Sequence, residues 1–501
     1  MKKIILTIAA AAFILTACDE ELDRINTDPN NMVVGSVHPS SLLSEVLYSG
    51  ASAMTNLSYT MANELIQYTV STNALDAYSR YVIPNGNSSS LWNHCSRWGA
   101  SADHMRDLAS KEPNFCNFEA IALTMRAYYI QILTDAYGDV PFSEAFRAME
   151  GETKPKFDSQ KDVYLQLISD LKRANSLYNS STYPMSESQA AKDLLYGGDL
   201  TRWQKFTNSL LLRVLIRISN CSEIDVSEEF AAIYNSPGTY PVFASEEDAA
   251  VMRFTGTDSN LNPFGSTNIL SFQAARRAAE FTVDQMNDSG DPRISLYFVQ
   301  VGGQWSGAKS GVVSREESGS GNAAKLNKAI LGSYNSPYSF MNYDEVLFIM
   351  AEAALKGFIP GGDAVAADFY TKAVEASVRH WSSLPNNEEP ITDRAVNQFL
   401  AKVGWNGTYE QLMTQKYIAL FWCGFESWSE YRRTGYPRLQ IARTTLNDQI
   451  LPRRFEYPIN TATTNPDNYA IAVERMRKEY KGGDDMKTPV WWSKYRIDNF
   501  K

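Results

Sequence analysis

The sequence predicts a mostly α-helical protein. Three observations carry that expectation. Apolar residues recur every three to four positions over long stretches, capping residues stand at the start of several of them, and strand-like signals are weak and short.

The elements follow in chain order. Helices are expected over residues 39–70, 91–108 and 119–137. Between residues 161 and 178 the apolar positions are Val163, Tyr164, Leu167, Ile168, Leu171, Ala174 and Tyr178, one face of a helix. Ser159 with Asp162 gives it a capping-box-like start. A further helix covers residues 203–218. Asn342 with Glu345 caps another, running to Leu355, and Val365, Ala366, Phe369, Tyr370, Ala373, Val374, Val378 and Trp381 mark one over residues 363–381. Thr408 with Gln411 caps a last long helix. Its stripe includes Leu412, Phe421, Trp422, Phe425 and Trp428, and Gly435 and Pro437 end it.

Residues 342–356 and 363–381, joined by Gly357-Phe358-Ile359-Pro360-Gly361-Gly362, form an αα-hairpin. Its second helix carries Phe369-Tyr370-Thr371-Lys372-Ala373-Val374, similar to the tetratricopeptide pattern, a helix–turn–helix unit of about 34 residues. No clean tandem period appears elsewhere, so any repeats are degenerate. Irregular segments are expected at 85–90, 255–267 and 300–324. Loops of such length are usually functional or disordered. Short strands are expected near 251–254 and 293–298.

The N-terminus has a separate logic. Lys2 and Lys3 precede an apolar run from Ile4 to Leu15, broken only by Thr7. A basic start, a short apolar core and small residues before a cut site make a signal peptide over 1–17. The run is too short for a bilayer, which needs about 20 apolar residues. Leu15-Thr16-Ala17-Cys18 resembles the bacterial lipobox. By that resemblance the Cys18 sulfur takes a diacylglycerol, the chain is cut before it, and its amine is acylated; several acyl chains anchor stably where one is marginal. The competing reading is a secretory peptide with a chance cysteine at the cut. Residues 18–38, polar with Pro29, read as a flexible tether.

The chain has 501 residues, 44% hydrophobic, enough for a large core. Its net charge is −10, and two more positive charges leave with Lys2 and Lys3. No basic patch is visible, which argues against nucleic acid as a partner. Cys95, Cys116, Cys221 and Cys423 lack zinc-site spacing. Cys221 and Cys423 lie in apolar helical stretches and suit core packing, while a Cys95–Cys116 bridge stays open.

The stretch Leu133-Thr134-Asp135-Ala136-Tyr137-Gly138-Asp139-Val140-Pro141-Phe142-Ser143-Glu144-Ala145 resembles the SusD/RagB family of nutrient-binding outer-membrane lipoproteins. So do residues 342–353, Gln415-Lys416-Tyr417 through Phe425-Glu426-Ser427-Trp428, Arg432-Arg433-Thr434-Gly435-Tyr436-Pro437, Arg453-Arg454-Phe455-Glu456-Tyr457-Pro458, and Val490-Trp491-Trp492. Each motif is moderately specific; their order is more so. The resemblance implies a SusD-like fold over 39–501, with tetratricopeptide-like helix pairs as scaffold and irregular ligand-binding loops packed on it. It implies a lid on a SusC-like, TonB-dependent β-barrel that captures oligosaccharide, or peptide in some members. The acidic Asp19-Glu20-Glu21 after Cys18 looks like a surface-export signal in organisms carrying this family.

Sugar binding without chemistry needs flat aromatic faces with amides and guanidinium groups for hydroxyls. The ligand-binding candidates are Trp305, isolated in a Gly/Ser-rich loop, Tyr297 just before it, and Trp92, Asn93 and Trp98 after the Asn/Ser loop. Core packing competes for Trp92, which lies near a helix start. Trp422, Trp428, Trp491 and Trp492 read as core. Asp135, Gly138, Asp139 and Pro141 read as a structural turn. No catalytic constellation is present: none of His38, His94, His104 and His380 lies in a zinc motif, and there is no nucleophile elbow or phosphate loop. No cofactor is expected. Asp288-Ser289-Gly290-Asp291-Pro292-Arg293 lacks calcium-loop spacing and reads as a turn. The competing functions are peptide capture, a protein-binding adaptor lipoprotein, and a glycosidase.

Overall fold

The computed structural model describes residues 37–73, 75–179, 181–257 and 259–495. The signal peptide, Cys18 and most of the expected tether lie outside them.

The principal helices are α1 (Ser40–Leu57), α2 (Asn85–Ala109), α3 (Cys116–Tyr137), α4 (Gln160–Leu177), α5 (Leu200–Ile218), α6 (Tyr343–Leu355), α7 (Gly362–Ser382), α8 (Tyr409–Ala419) and α9 (Glu426–Thr434). Successive helices pack on one another from α1 to α5; α5 then meets α6, which packs on α7 and α8. The fold is mostly α, a scaffold of helix pairs. α3 is buried along nearly its whole length and forms the centre of the first half. Side-chain caps start several helices where the sequence placed them: Ser159 accepts from the Asp162 amide and Thr408 from the Gln411 amide.

Five local expectations need correction. The helix over 39–70 ends early. α1 passes into a π-helical turn, Ser58–Ala62, then Asn63–Leu65 and a strand. Thr55 and Ser58 hydroxyls donate back to the Ala51 and Met54 carbonyls, both at 2.8 Å, a pattern that bends helices. Residues 85–90 are not a loop but the start of α2. Pro84 precedes the helix, and its carbonyl accepts from the Asn87 and Ser88 amides at 2.7 and 3.1 Å. The helix beginning at Thr408 breaks between α8 and α9, where Trp422 and Gly424 adopt φ of 67° and 63°. Cys423 therefore lies in the break and not in a helix. Asn342 occupies the N-cap position of α6 without capping; its amide donates to Cys423 Sγ at 3.6 Å. Residues 293–298 form a helical turn, Ile294–Tyr297, before a two-residue strand. All four described cysteines are free thiols, so Cys95 and Cys116 form no bridge.

The strands are β1 (Thr69–Ser71), β2 (Val140–Pro141), β3 (Phe157–Asp158), β4 (Ala250–Met252), β5 (Arg276–Ala278), β6 (Phe298–Val299), β7 (Lys325–Leu326) and β8 (Tyr338–Met341). They form a four-stranded sheet in the order β1-β5-β7-β6 and two pairs, β2-β3 and β4-β8. The long 300–324 segment is stitched to the larger sheet. Ala308 N–H donates to the Ala278 carbonyl, Glu280 N–H to the Ala308 carbonyl, and Ala324 N–H to the Ser306 carbonyl, each at 2.8 Å. Gly307 makes that approach possible. A Cβ there would lie 2.2 Å from Glu280 Cα and 2.3 Å from its nitrogen. Gly307→Ala is expected to detach the loop and destabilise by about 1–3 kcal/mol, the usual penalty of overpacking. Limited proteolysis checks it: cleavage within 300–324 should appear first.

Candidate ligand cleft

The site is built on the end of α3. Gly138, at φ 82°, closes the helix, its N–H donating to the Thr134 carbonyl at 2.8 Å. Asp139 accepts from the Gln160 amide at 2.8 Å and pairs with Arg475. After β2, Asp158 accepts the Phe142 and Ser143 amides at 3.1 and 2.8 Å. The turn is thus fastened to the start of α4 and to the helix Pro466–Tyr480. One turn earlier, Asp135 enters a buried charge network. It accepts from Trp492 Nε1 at 2.8 Å and from Tyr164, and lies 3.3 Å from Arg217. Arg217 reaches Glu426 and Glu430, and Glu430 also holds Lys416 and Arg433 at 2.8 and 2.7 Å. Arg433 meets Glu352 at 2.6 Å. Burial opposes ionisation of Glu352, but Arg433 and Lys356 outweigh it and hold its pKa at about 2. Asp135 and Asp139 thus do more than the simple turn read from the sequence.

Beside this turn lies a cleft of about 260 Å³. α2 contributes Trp92, Asn93 and Ser96. Pro141, Ala145 and Phe146 come from the turn, Thr153, Pro155 and Phe157 from the return to β3, and Asn460, Thr461, Thr464 and Asn465 from the C-terminal part. The half-buried Trp92 ring is held edge-on by Tyr137 and Tyr457, with centroids 5.0 and 5.9 Å away, and its backbone N–H donates to the Tyr137 hydroxyl at 3.1 Å. Tyr457 in turn donates to the Asp139 carbonyl at 2.6 Å. The indole is therefore positioned before any ligand arrives, which lowers the entropy lost on binding. Asn93 is exposed and its amide engages no described side chain or backbone group. Phe146 sits at φ 67°, a left-handed conformation that costs energy in a residue with a side chain and clusters at functional sites.

No side chain lining this cleft is ionisable. Two larger hollows differ. One, of about 450 Å³, is lined by Arg432, Arg453, Lys481, Lys494 and Glu479. The other, of about 400 Å³, carries Arg106, Arg126, Arg173, Glu119 and Asp170, whose charges are paired with neighbouring carboxylates or guanidinium groups.

Of the residues singled out from sequence, Trp92 and Asn93 meet in the cleft. Trp98 is 5% exposed beneath the Arg97 guanidinium and belongs to the core. Tyr297 is fully buried, stacked on Phe421 at 4.2 Å, its hydroxyl donating to the Ile418 carbonyl at 2.8 Å. Its helical turn aims it inward, so it is a core residue and not a ligand contact. Trp305 is half-buried against the core and does not line the cleft. Asp291 forms a buried ion pair with Arg293 at 2.5 Å. Among the described residues no group of three His, Cys, Asp or Glu is placed to hold a metal ion. Sequence reasoning missed Phe146, Phe157 and the polar residues of 460–465. No local signal marks them, because packing alone brings 460–465 to α2.

The structure is thus a helix-pair scaffold with long loops and an uncharged cleft beside the turn that follows α3. The chain belongs to the SusD-like family described as starch-binding and associating with the outer membrane, whose profile matches residues 29–458. Proteins of this family bind nutrients and are not enzymes, and this chain is a binding protein associated with the outer membrane. Among solved structures, a chitin-binding protein is 26% identical, with a TM-score of 0.79 over 91% of this chain and 99% of that one. A SusD homolog from Bacteroides fragilis is 25% identical, TM-score 0.74, covering 92% and 99%. Another from Bacteroides uniformis, 24% identical with a TM-score of 0.75 over 93% and 100%, shares the fold. No curated protein matches the chain. Among the described residues no helix is long and apolar enough to cross a membrane.

Proposed function

We propose that the protein captures oligosaccharide at the cell surface, tethered by a lipid on Cys18, and hands it to a SusC-like TonB-dependent transporter. The observation that carries the sugar reading is the uncharged cleft, with a preset indole beside amides and hydroxyls. A neutral polyhydroxy ligand offers that surface ring faces and hydroxyls; a charged peptide finds no counter-ion there. The chitin-binding relative and the starch-binding family description support the same reading. Peptide capture has less support, because the Arg126–Asp170 and Arg173–Glu119 pairs already occupy much of the charge in the 400 Å³ hollow.

Trp92→Ala is expected to weaken binding of neutral oligosaccharides at least tenfold, about 1.4 kcal/mol or more. Calorimetry with maltooligosaccharides and chitooligosaccharides reads it. Undiminished affinity removes the cleft from the site, and absence of any neutral ligand removes the sugar reading. Cys18→Ser should release the protein from membranes, and protease added to intact cells should degrade the wild type. A protected protein would mean the lid faces inward.

A further inference from the structure

The hollow of about 450 Å³ shares no lining residue with the Trp92 cleft. Its volume is that of a small-molecule site. Four cationic side chains line it, Arg432, Arg453, Lys481 and Lys494, against one carboxylate, Glu479. Lys494 is engaged by Glu223 at 3.3 Å. The other three form no ion pair among the described residues. Glu479 is itself engaged: it accepts a hydrogen bond from the Tyr480 hydroxyl and acts on the Arg475 charge. The hollow therefore carries an excess of positive charge in a chain of net charge −10. A concave surface lined by one sign of charge concentrates ligands of the other.

The hollow is also built to hold its shape. Arg432 is 3% exposed and lies 3.4 Å over the Trp428 ring. It donates to the Asp135 and Arg453 carbonyls at 2.6 and 2.9 Å and to Ser429 Oγ at 3.0 Å, while its Nε is buried with no acceptor. The bond to the Arg453 carbonyl sets the two arginines side by side. Arg453 and Lys481 are exposed, so both can reach a ligand. The rim is strained. Asn447, Asp448 and Gln449 are three successive non-glycine residues at φ of 57°, 54° and 59°, and Lys481 stands at 54°. Gln449 and Lys481 both line the hollow. Strain of this kind clusters at ligand sites.

We propose that this hollow is a second ligand site, one that takes the carboxylate of an acidic sugar, a uronate. Arg453 offers a planar carboxylate two parallel N–H donors, and Lys481 adds a point charge. Ile441, Leu451 and Tyr480, which also line the hollow, give the sugar ring an apolar surface. This site goes beyond the neutral-sugar reading and does not need the Trp92 cleft.

The purified chain in detergent is titrated with digalacturonate, with its dimethyl ester as the uncharged control, and with a neocarrabiose sulfate, which carries sulfate and no carboxylate. Digalacturonate should bind at least tenfold tighter than its ester, with affinity falling as salt rises. Arg453→Gln and Lys481→Gly should each weaken it at least threefold and together erase the preference. Lys481→Gly also relieves a left-handed residue at a helix end, so its Tm should stay level or rise, which separates lost binding from lost folding. Glu479→Gln, which removes the one lining carboxylate, should tighten digalacturonate. Trp92→Ala should leave the preference in place, so this site and the neutral cleft can fail separately. The proposal is overturned if digalacturonate does not outbind its ester, if the double variant keeps the preference, or if the sulfate binds and the uronate does not.

Discussion

Replacing Arg217 by Leu should destabilise the protein by about 3–5 kcal/mol, the cost of removing one partner from a buried ion network. Arg217 is fully buried between Asp135, Glu426 and Glu430. Glu430 keeps Lys416 and Arg433. Glu426 retains one ion pair among the described residues, with Arg213 at 3.9 Å. Asp135 keeps hydrogen bonds from Trp492 and Tyr164 but loses its nearest cation. Burial already raises the Asp135 pKa against the pull of Arg217 and Arg432. Without Arg217 that carboxyl either holds a proton or stays charged in a buried site that has lost its ion-pair partner, and both oppose folding. Because Asp135 stands one turn before Gly138, the variant should also loosen the Pro141–Phe146 wall and weaken ligand binding. Arg217→Lys keeps the charge without the fork and should fall between the two. Urea denaturation at constant m-value measures the loss. A loss under about 1 kcal/mol would mean the network's members relax into other pairs.

The parts of the fold legible in sequence share one physical cause: local periodicity and local caps. α4 is the clearest case, since Ser159, its seven-residue apolar stripe and its end all lie within twenty positions. The errors share the opposite cause. β1 was hidden inside an apolar helical pattern because its pairing with β5 is about two hundred residues distant. The α8–α9 break was hidden because Phe421, Trp422 and Phe425 keep their apolar character in a turn that is itself buried. Tyr297 looked like a ligand-facing aromatic at the edge of the 300–324 loop until the fold turned it toward Phe421. The cleft divides in the same way. Trp92 and Asn93 stood out beside a polar segment, whereas Asn460 and Thr464 became site residues only through the docking of the C-terminal part. The charge network left no trace that pattern reading detects, because each member alone is an ordinary polar position on a helix.

The second large effect concerns pH. Asp344, in the first turn of α6, is buried, and its Oδ2 has no hydrogen-bond partner. Burial pushes its pKa from 3.8 up to about 7, against the pull of His380. In the unfolded chain the carboxyl ionises near 3.8; in the folded chain it holds its proton until about 7. The folded state therefore binds more protons across that window, and stability falls as pH rises through it. Glu64, also pushed to about 7, adds a fall in the same window. His380 contributes with the same sign. Burial alone would lower its pKa, but Glu246 and Asp344 raise it, so its stabilisation is complete at low pH and fades as pH climbs past its raised value. Glu352 works the other way: held at about 2, it stabilises above its usual pKa of 4.5 and loses that contribution as pH falls. The wild type should then be most stable in mildly acidic solution. Asp344→Asn keeps the shape and removes the ionisation. At roughly 1.4 kcal/mol per pKa unit, the shift corresponds to about 4 kcal/mol at pH 8. Part of that is returned, because losing Asp344 also lowers His380. The expected gain is about 3 kcal/mol at pH 8 and close to zero at pH 4. Thermal or urea unfolding of both proteins across that range tests it. A flat wild-type profile between pH 5 and 8, or an Asn variant less stable at pH 8, would show that the folded protein hydrates this carboxylate instead of protonating it.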